Sequence, residues 1–412
     1  MLTNPVYDPF QILAKIYSDG AHLKQALADT YIEELNRART VKIVYGVLEN
    51  DGYLNFCIRR YAPKAPKLAV RTILKISLYM LLFMDKPRYM VTDSAVELCK
   101  KLGKQGVAGF VNAFLRRFSR EETEAAIPAG DEGLCIRLSY PPYAWKMLKA
   151  EYGARAEAIA AAKSGGVCVR FERNEEKYLS KKHINAPFPH MFLFENFARD
   201  EGFFEGDYTF QSVGSAAICD VVEPCGDLLD ACAAPGGKSV LLSKKCGRIT
   251  SFELHAHRVE LIRQSRRMGG KRIRGAGTAR RSIPNTRENS TRCSDVPCSG
   301  FGTVSENPDI KLFRKEEDFR SLKETQGKIL SACSKYVKEG GTVYYSTCSL
   351  FERENDGIVG GFLAENPDFS AAEIKSPLSN ERKKFGLQFL PDAAFGAGFY
   401  VAKLKKKQDG NG

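Results

Sequence analysis

Apolar residues recur at intervals of three and four from Pro9 to about Glu121, the spacing that gathers them on one face of a helix. Leu35, Val44, Val47 and Leu48 mark one such stretch, Val70 to Met84 a second, and Ala95, Leu98 and Leu102 a third. Gly103 is positioned to end the third helix, with Thr92 or Asp93 as its N-cap. A last helix over 109–117 finishes on Arg116 and Arg117, cations suited to the negative end of a helix dipole. The pattern predicts an all-α bundle. Residues 121–133, rich in Glu, Ala, Gly and Pro, read as a linker. A helix then runs from Ser139 to about Gly153, and 167–171 alternate as a short strand, giving a small α+β region.

From residue 206 onward the period changes. Residues 227–232 form a short buried-strand pattern, Ala233 to Gly237 a tight turn of small residues, and Ser239 to Leu242 the start of a helix. Strand, glycine turn and helix is the opening of a Rossmann-type domain, where small residues let the backbone approach a ligand. The Walker pattern is absent, so this is not a phosphate loop of that kind. The next strand, over 248–252, leads into Glu253, placed to accept hydrogen bonds from ribose hydroxyls; an incidental surface carboxylate is the plainer reading. Two further strands run into cysteine-bearing loops, Asp-Val-Pro-Cys-Ser-Gly at 295–300 and Ser-Thr-Cys-Ser at 346–349.

Composition narrows the partners. A chain of 412 residues with 43% hydrophobic and 27% charged content suits a soluble protein of two or three domains. Lys and Arg exceed Asp and Glu by 62 to 49, and the resulting +13 favours a polyanion, nucleic acid first. Twelve cysteines lie scattered through apolar segments with no CxxC pair and no signal peptide, which predicts a reduced, cytoplasmic protein without structural zinc. His255 and His257 read as solvated helix surface. The longest apolar run, 73–84, contains Lys75 and is too short to span a bilayer.

Segments 41–48, 76–82, 95–98 and 110–117, in that order, resemble the NusB-type helical RNA-binding domain. Segments 210–216, 230–238, 295–300 with 307–310, and 345–349 with Glu354 and Asn355 resemble the RNA cytosine-5 methyltransferases. The fused NusB-like module points to the RsmB (Sun, Fmu) branch, which modifies small-subunit ribosomal RNA. The resemblance implies a multidomain architecture. A NusB-like helical bundle over 1–120 precedes a linker and small α+β RNA-binding subdomain over 121–205. An α/β Rossmann-like class I methyltransferase domain over 206–406 follows.

The resemblance also implies S-adenosyl-L-methionine as cofactor, held by Cys232, Ala233, Ala234, Pro235, Gly236, Gly237, Lys238, Glu253 and Asp295. The implied substrate is 16S ribosomal RNA before its assembly into a full subunit, and the implied agent a monomer with no metal and no membrane. Cys348 would add to carbon 6 of cytosine so that carbon 5 becomes nucleophilic. Asp295 would share a proton near N3, and Cys298 would remove the carbon 5 proton and release the product. Lys238 is expected near the cofactor or the RNA backbone. For Arg116, Arg117, Arg170 and Asn174, RNA contact and a surface role both stand open.

One interval departs from the family. Residues 270–294 contain no Leu, Val, Phe or Asp, where the family has an adenine-contacting Asp and an apolar central strand. The pattern resumes in register at Asp295, so a pair of compensating reading-frame shifts is expected, with no central strand in the chain as written; a basic loop touching RNA is the other reading. Near the end, 395–402 resembles the closing strand of the family without its Asp-Gly step, and Lys405 to Lys407 read as a solvated tail. Two alternatives remain: an RNA-binding protein whose methyltransferase domain is degraded, and a cytosine-5 methyltransferase of another RNA.

Overall fold

Helices Tyr7–Asp19, Glu34–Glu49, Asp51–Tyr61, Leu68–Phe83, Arg88–Lys101 and Ala108–Arg117 turn their apolar faces onto one core that includes Leu13, Val47, Leu54, Leu74, Leu98 and Leu115. They appear in a computed structural model that describes residues 4–267, 273–278, 291–335 and 337–408. Leu68–Phe83 is buried on nearly every side, and even its Thr72, Lys75 and Ser77 lie inside. Gly46 lets it come close, because a Cβ there would lie 1.9 Å from Cζ of Tyr79. Gly103 does end its helix, at φ +67°. The helix starts earlier than expected, at Arg88: the Pro87 carbonyl accepts from Val91 N–H, so Thr92 and Asp93 lie inside it rather than capping it.

The stretch expected as a linker is helical. The Ser119 side chain caps Arg120–Ala125 by accepting from Glu122 N–H, and Gly130–Arg137 follows. Glu and Ala are good helix formers as well as common linker residues, so composition alone misleads here. This first unit comprises Met1–Ala150 and a later segment, Asn307–Arg314. In that segment Asp309 accepts from Leu23 N–H at 3.2 Å, and Lys311 donates to the carbonyls of Glu49 and Leu138. Leu312 and Phe313 pack on the helical core.

The second unit, Glu151–Glu306 with Lys315–Gly412, opens on a small antiparallel sheet. Its strands are β1 (Val167–Phe171), β2 (His183–Asn185), β3 (Met191–Phe194) and β4 (Tyr208–Phe210), ordered β2-β3-β1-β4 around an aromatic core of Phe171, Tyr178, Phe194 and Tyr208. Arg170 is not available to RNA: it is 2% exposed and lies 3.0 Å from the Glu172 carboxylate. Asn174 turns the chain at φ +56° and donates to Asp207.

The larger sheet holds β5 (Cys225–Asp230), β6 (Cys246–Glu253), β7 (Ile273–Thr278), β8 (Thr291–Asp295) and β9 (Thr342–Thr347), all parallel. Four more complete it: β10 (Phe369–Ala372), β11 (Glu381–Arg382), β12 (Gly386–Phe389) and β13 (Phe399–Lys406). The order is β11-β12-β13-β9-β8-β5-β6-β7, with β10 added to β13 and β13 antiparallel to β9. The expected tail lysines 405 and 406 therefore belong to a paired strand. Strand order reverses between β5 and β8, and ligands of such sheets bind beyond the carboxyl ends of the strands at that point.

The central position expected to be empty is filled. Strand β8 pairs with β5 on one side, Leu229 opposite Arg292, and with β9 on the other, Asp295 opposite Ser346. Hydrogen bonds on both edges hold a strand that apolar content would not predict, and Ser294 spends its hydroxyl on the Tyr344 carbonyl. Residues 268–272 and 279–290 lie outside the described residues, and with them most of the interval 270–294 in which the adenine-contacting Asp was expected.

Candidate active site

The turn after β5 is built from buried polar contacts. Asp230, at the strand end, accepts from Ser239 Oγ at 2.5 Å, and Ser251 Oγ lies 3.2 Å from the same hydroxyl. Burial pushes the Asp230 carboxyl up to about 6, against the opposing pull of Ser239 and Lys238. Gly236 has φ +107°, which a side chain would resist, and starts helix Gly237–Leu242. Ala231 and Ala233 donate their N–H groups to the Cys293 and Phe252 carbonyls, tying the turn to β8 and β6.

Beyond these strand ends lies a cavity of about 620 Å³. Cys232, Ala234, Glu253, Asp295, Cys298 and Cys348 line it, with Phe252, Leu254, His255, Arg258, Ile329 and Cys333. Six of the residues expected in the site thus meet around one space. Ala233, Pro235, Gly236 and Gly237 shape the turn without lining the cavity, and Lys238 faces Asp295 instead. Glu253 is 4% exposed and accepts from His255 N–H, with Arg258 Nη1 3.4 Å from its second oxygen. Arg258 also donates to the Ala234 carbonyl, so one guanidinium braces both the turn after β5 and the end of β6. His255 is exposed, as read from the sequence, but stands at the cavity rim.

Asp295 sits between two donors. Lys238 Nζ is 2.7 Å from Oδ2, and Ser346 Oγ donates to Oδ1 at 3.0 Å. Burial by itself would lower the Lys238 pKa; the Asp295 carboxylate outweighs it and holds the ammonium above the usual lysine value. Past Asp295 the loop carries Cys298 to within 3.1 Å of Cys348, sulfur to sulfur, and Cys348 N–H points at the Cys298 sulfur. The hydrogen bond to Cys348 pushes the Cys298 thiol well up, and burial and the Glu354 and Asp295 carboxylates push it further.

A buried carboxylate joins the two loops. Glu354 accepts from Ser299 N–H at 2.8 Å, from Gln326 Nε2 at 3.0 Å and from Ser349 Oγ. Gln326, on helix Asp318–Ser334, also donates to the Pro297 carbonyl, and Ser299 Oγ lies 3.2 Å from Ser349 Oγ. Asn355 completes the frame by bonding Thr347 and the Ser349 carbonyl. Glu354 and Asn355 stand close after Cys348 in sequence, but no role could be read for them; Gln326, in mid-helix, gave no signal at all. Among the described residues no cluster of His, Cys, Asp and Glu is placed to hold a metal ion, and no helix is long and apolar enough to cross a membrane.

A profile of the family described as 16S rRNA methyltransferase RsmB/F matches residues 222–405, and a NusB family profile matches 9–120. The chain is 30% identical to the probable ribosomal RNA small subunit methyltransferase B of Bacillus subtilis (strain 168), covering 93% of this chain and 94% of that protein. It is 28% identical to ribosomal RNA small subunit methyltransferase B of Xanthomonas campestris pv. campestris, over 96% of this chain and 95% of the relative. In fold it is similar to the crystal structure of PH0851, with a TM-score of 0.81 at 21% identity over 98% of this chain and 99% of the other. A lesser likeness joins it to NSun6 from Pyrococcus horikoshii with SFG, at a TM-score of 0.56 and 16% identity, over 65% of this chain and 99% of that one.

Proposed function

The chain belongs to the ribosomal RNA small subunit methyltransferase B family, and from that premise we propose that it forms 5-methylcytosine in 16S ribosomal RNA through a covalent adduct on Cys348. The observation that carries this reading is the pair of thiols 3.1 Å apart in the lining of a cavity that Asp295 also lines. Occupation of the central strand position by β8 favours a working domain over a degraded one.

The cavity suits S-adenosyl-L-methionine. Cys232 and Ala234 offer a wall of small side chains, and Glu253 offers carboxylate oxygens at the end of β6 for ribose hydroxyls. When bound, the cofactor supplies an electrophilic methyl group. Everything else falls to the chain's own residues. The Cys348 thiolate bonds to carbon 6 of cytosine, and the electron pair of the 5,6 double bond moves into the ring. Asp295, kept in place by Lys238 and Ser346, shares a proton with N3 as that charge develops.

Once carbon 5 carries both hydrogen and methyl, Cys298 takes the hydrogen as a proton. The 5,6 double bond then re-forms, the carbon–sulfur bond breaks, and the pair returns to Cys348. The elevated Cys298 thiol gives this sequence an order. Its largest cause is the hydrogen bond to Cys348, which is lost once that sulfur is bonded to carbon, so Cys298 becomes easier to ionise when a base is needed.

The test is transfer of labelled methyl to unmodified 16S RNA. Activity is expected in the parent and none in Cys348→Ala, and activity retained in that variant sinks the mechanism. Cys298→Ala is expected to accumulate a protein–RNA adduct that survives denaturation.

A further inference from the structure

Inside the helical unit lies a second cavity, of about 580 Å³, bounded by helices Asp51–Tyr61 and Leu68–Phe83 and the loop joining them. Its floor is polar. The Asp51 carboxylate accepts from Tyr17 Oη at 2.5 Å, Lys75 Nζ at 2.5 Å and Asn55 Nδ2 at 2.8 Å, so three donors already occupy it. Arg59 and Arg71 face the same space, and no carboxylate lies within ion-pair distance of either among the described residues. Among the described residues the Nε of Arg71, closed to solvent, has no acceptor.

The rest of the wall has a different character. Pro63, Ile58, Leu312 and Phe313 add apolar surface to the lining, and exposed Lys64 and Lys67 carry further positive charge along the same loop. Guanidinium groups pair with phosphate oxygens in a planar fork, and an aromatic wall accepts a base or ribose face. From this juxtaposition we propose that the cavity is a nucleotide subsite, with Arg59 and Arg71 holding a phosphate and Phe313 and Pro63 packing against the attached ring.

Lys75 supports the electrostatic side of the argument: burial lowers its pKa, and Arg71 and Arg59 lower it further against the pull of Asp51, so an incoming anion relieves crowding among cations. The phosphate can come from an RNA strand or from a free nucleotide. The RNA source rests on the reading of the protein as an RNA methyltransferase, and it places a contact on the helical unit in addition to the cysteine site.

Arginine-selective modification of the unaltered protein, mapped by mass spectrometry, tests the subsite without a mutation. A single-stranded RNA oligonucleotide is expected to slow modification of Arg59 and Arg71 by about tenfold, as expected of charge-assisted hydrogen bonds. Protection by a nucleoside monophosphate alone identifies a free nucleotide as a second source. Protection by neither, or protection by polyglutamate equal to that by RNA, overturns the proposal.

A second measurement uses fluorescence anisotropy with the full chain carrying Arg59→Ala and Arg71→Ala. RNA affinity is expected to fall about tenfold and the slope of log K against log salt to shrink by about 0.7, the single-strand value for one phosphate. Arg263→Ala, an exposed arginine on helix Ala256–Arg267, serves as the control. If the parent binds RNA and the double variant binds it equally well, the subsite is wrong and the RNA reading stands. If the parent binds no RNA, the RNA reading is wrong, and the monophosphate footprint alone decides the subsite.

Discussion

Glu354 is fully buried, and three donors from three parts of the chain converge on its carboxylate. Glu354→Gln can keep the Ser299 N–H and Gln326 bonds through its oxygen, but its amide nitrogen then faces Ser349 Oγ, which must turn from donor to acceptor, and the charge that strengthened all three bonds is lost. The expected result is a stability loss of about 1–3 kcal/mol, read by denaturant titration, and a larger fall in kcat than in RNA affinity as the two sulfurs lose their spacing. The thiols offer a finer probe. Because the Cys348 hydrogen bond is the main cause of the elevated Cys298 thiol, Cys348→Ala should make Cys298 alkylate faster at neutral pH, measured by peptide mass mapping.

Asp230 makes a third prediction at the residue scale, with a definite sign. Its native value of about 6 lies above the ordinary 3.8, so the folded state binds the proton more tightly. The stabilisation this gives is complete below about pH 4 and is lost as pH rises through about 6, roughly 3 kcal/mol in all. Asp230→Asn can still accept from Ser239 and does not titrate. Its melting temperature should therefore gain on the parent's as pH rises from about 4 to about 6; a gap independent of pH would contradict the assignment.

At the scale of elements, the site depends on two loops docking backbone to backbone. Gly302 donates its N–H to the Cys348 carbonyl at 2.9 Å and accepts from Gly398 N–H, and a Cβ at Gly302 would lie 2.0 Å from the Gly398 oxygen. Gly302→Ala must push both the Gly398 and the Cys348 backbone away, the Cys348 oxygen lying 2.8 Å from the added Cβ, with an expected cost of about 1–3 kcal/mol and a loss of methyl transfer that exceeds the loss of RNA binding. The same scale explains what could be read in advance. The glycine turn after β5 and the two cysteine loops were legible because their chemistry is local: a left-handed backbone position or a thiol announces itself in a few residues. Strand β8 was not, because Thr-Arg-Cys-Ser-Asp owes its conformation to the hydrogen-bonding edges of β5 and β9, which are remote in sequence. Arg170 misled for the same reason, its burial being decided by the strands around it, and Gln326 acts through a carbonyl and a carboxylate that no spacing rule connects to it.

At the scale of the whole molecule, the net charge of +13 makes RNA binding a matter of ionic strength. A footprint of roughly four phosphates gives a salt slope near −3, so affinity should drop by more than tenfold between about 50 and about 200 mM salt; a flat response would mean that the excess charge has another use. The threading of the chain has a temporal consequence. The helical unit is not complete when its contiguous part, Met1–Ala150, has been made, because Asn307–Arg314 supplies Asp309 to Leu23 and Lys311 to two of its carbonyls. At about 5–20 residues per second, a ribosome needs roughly 10–30 seconds to pass from one to the other. For that interval the nascent bundle waits with part of its surface uncovered, and it reaches its final form only after the thiol loop of Cys298 has been synthesised.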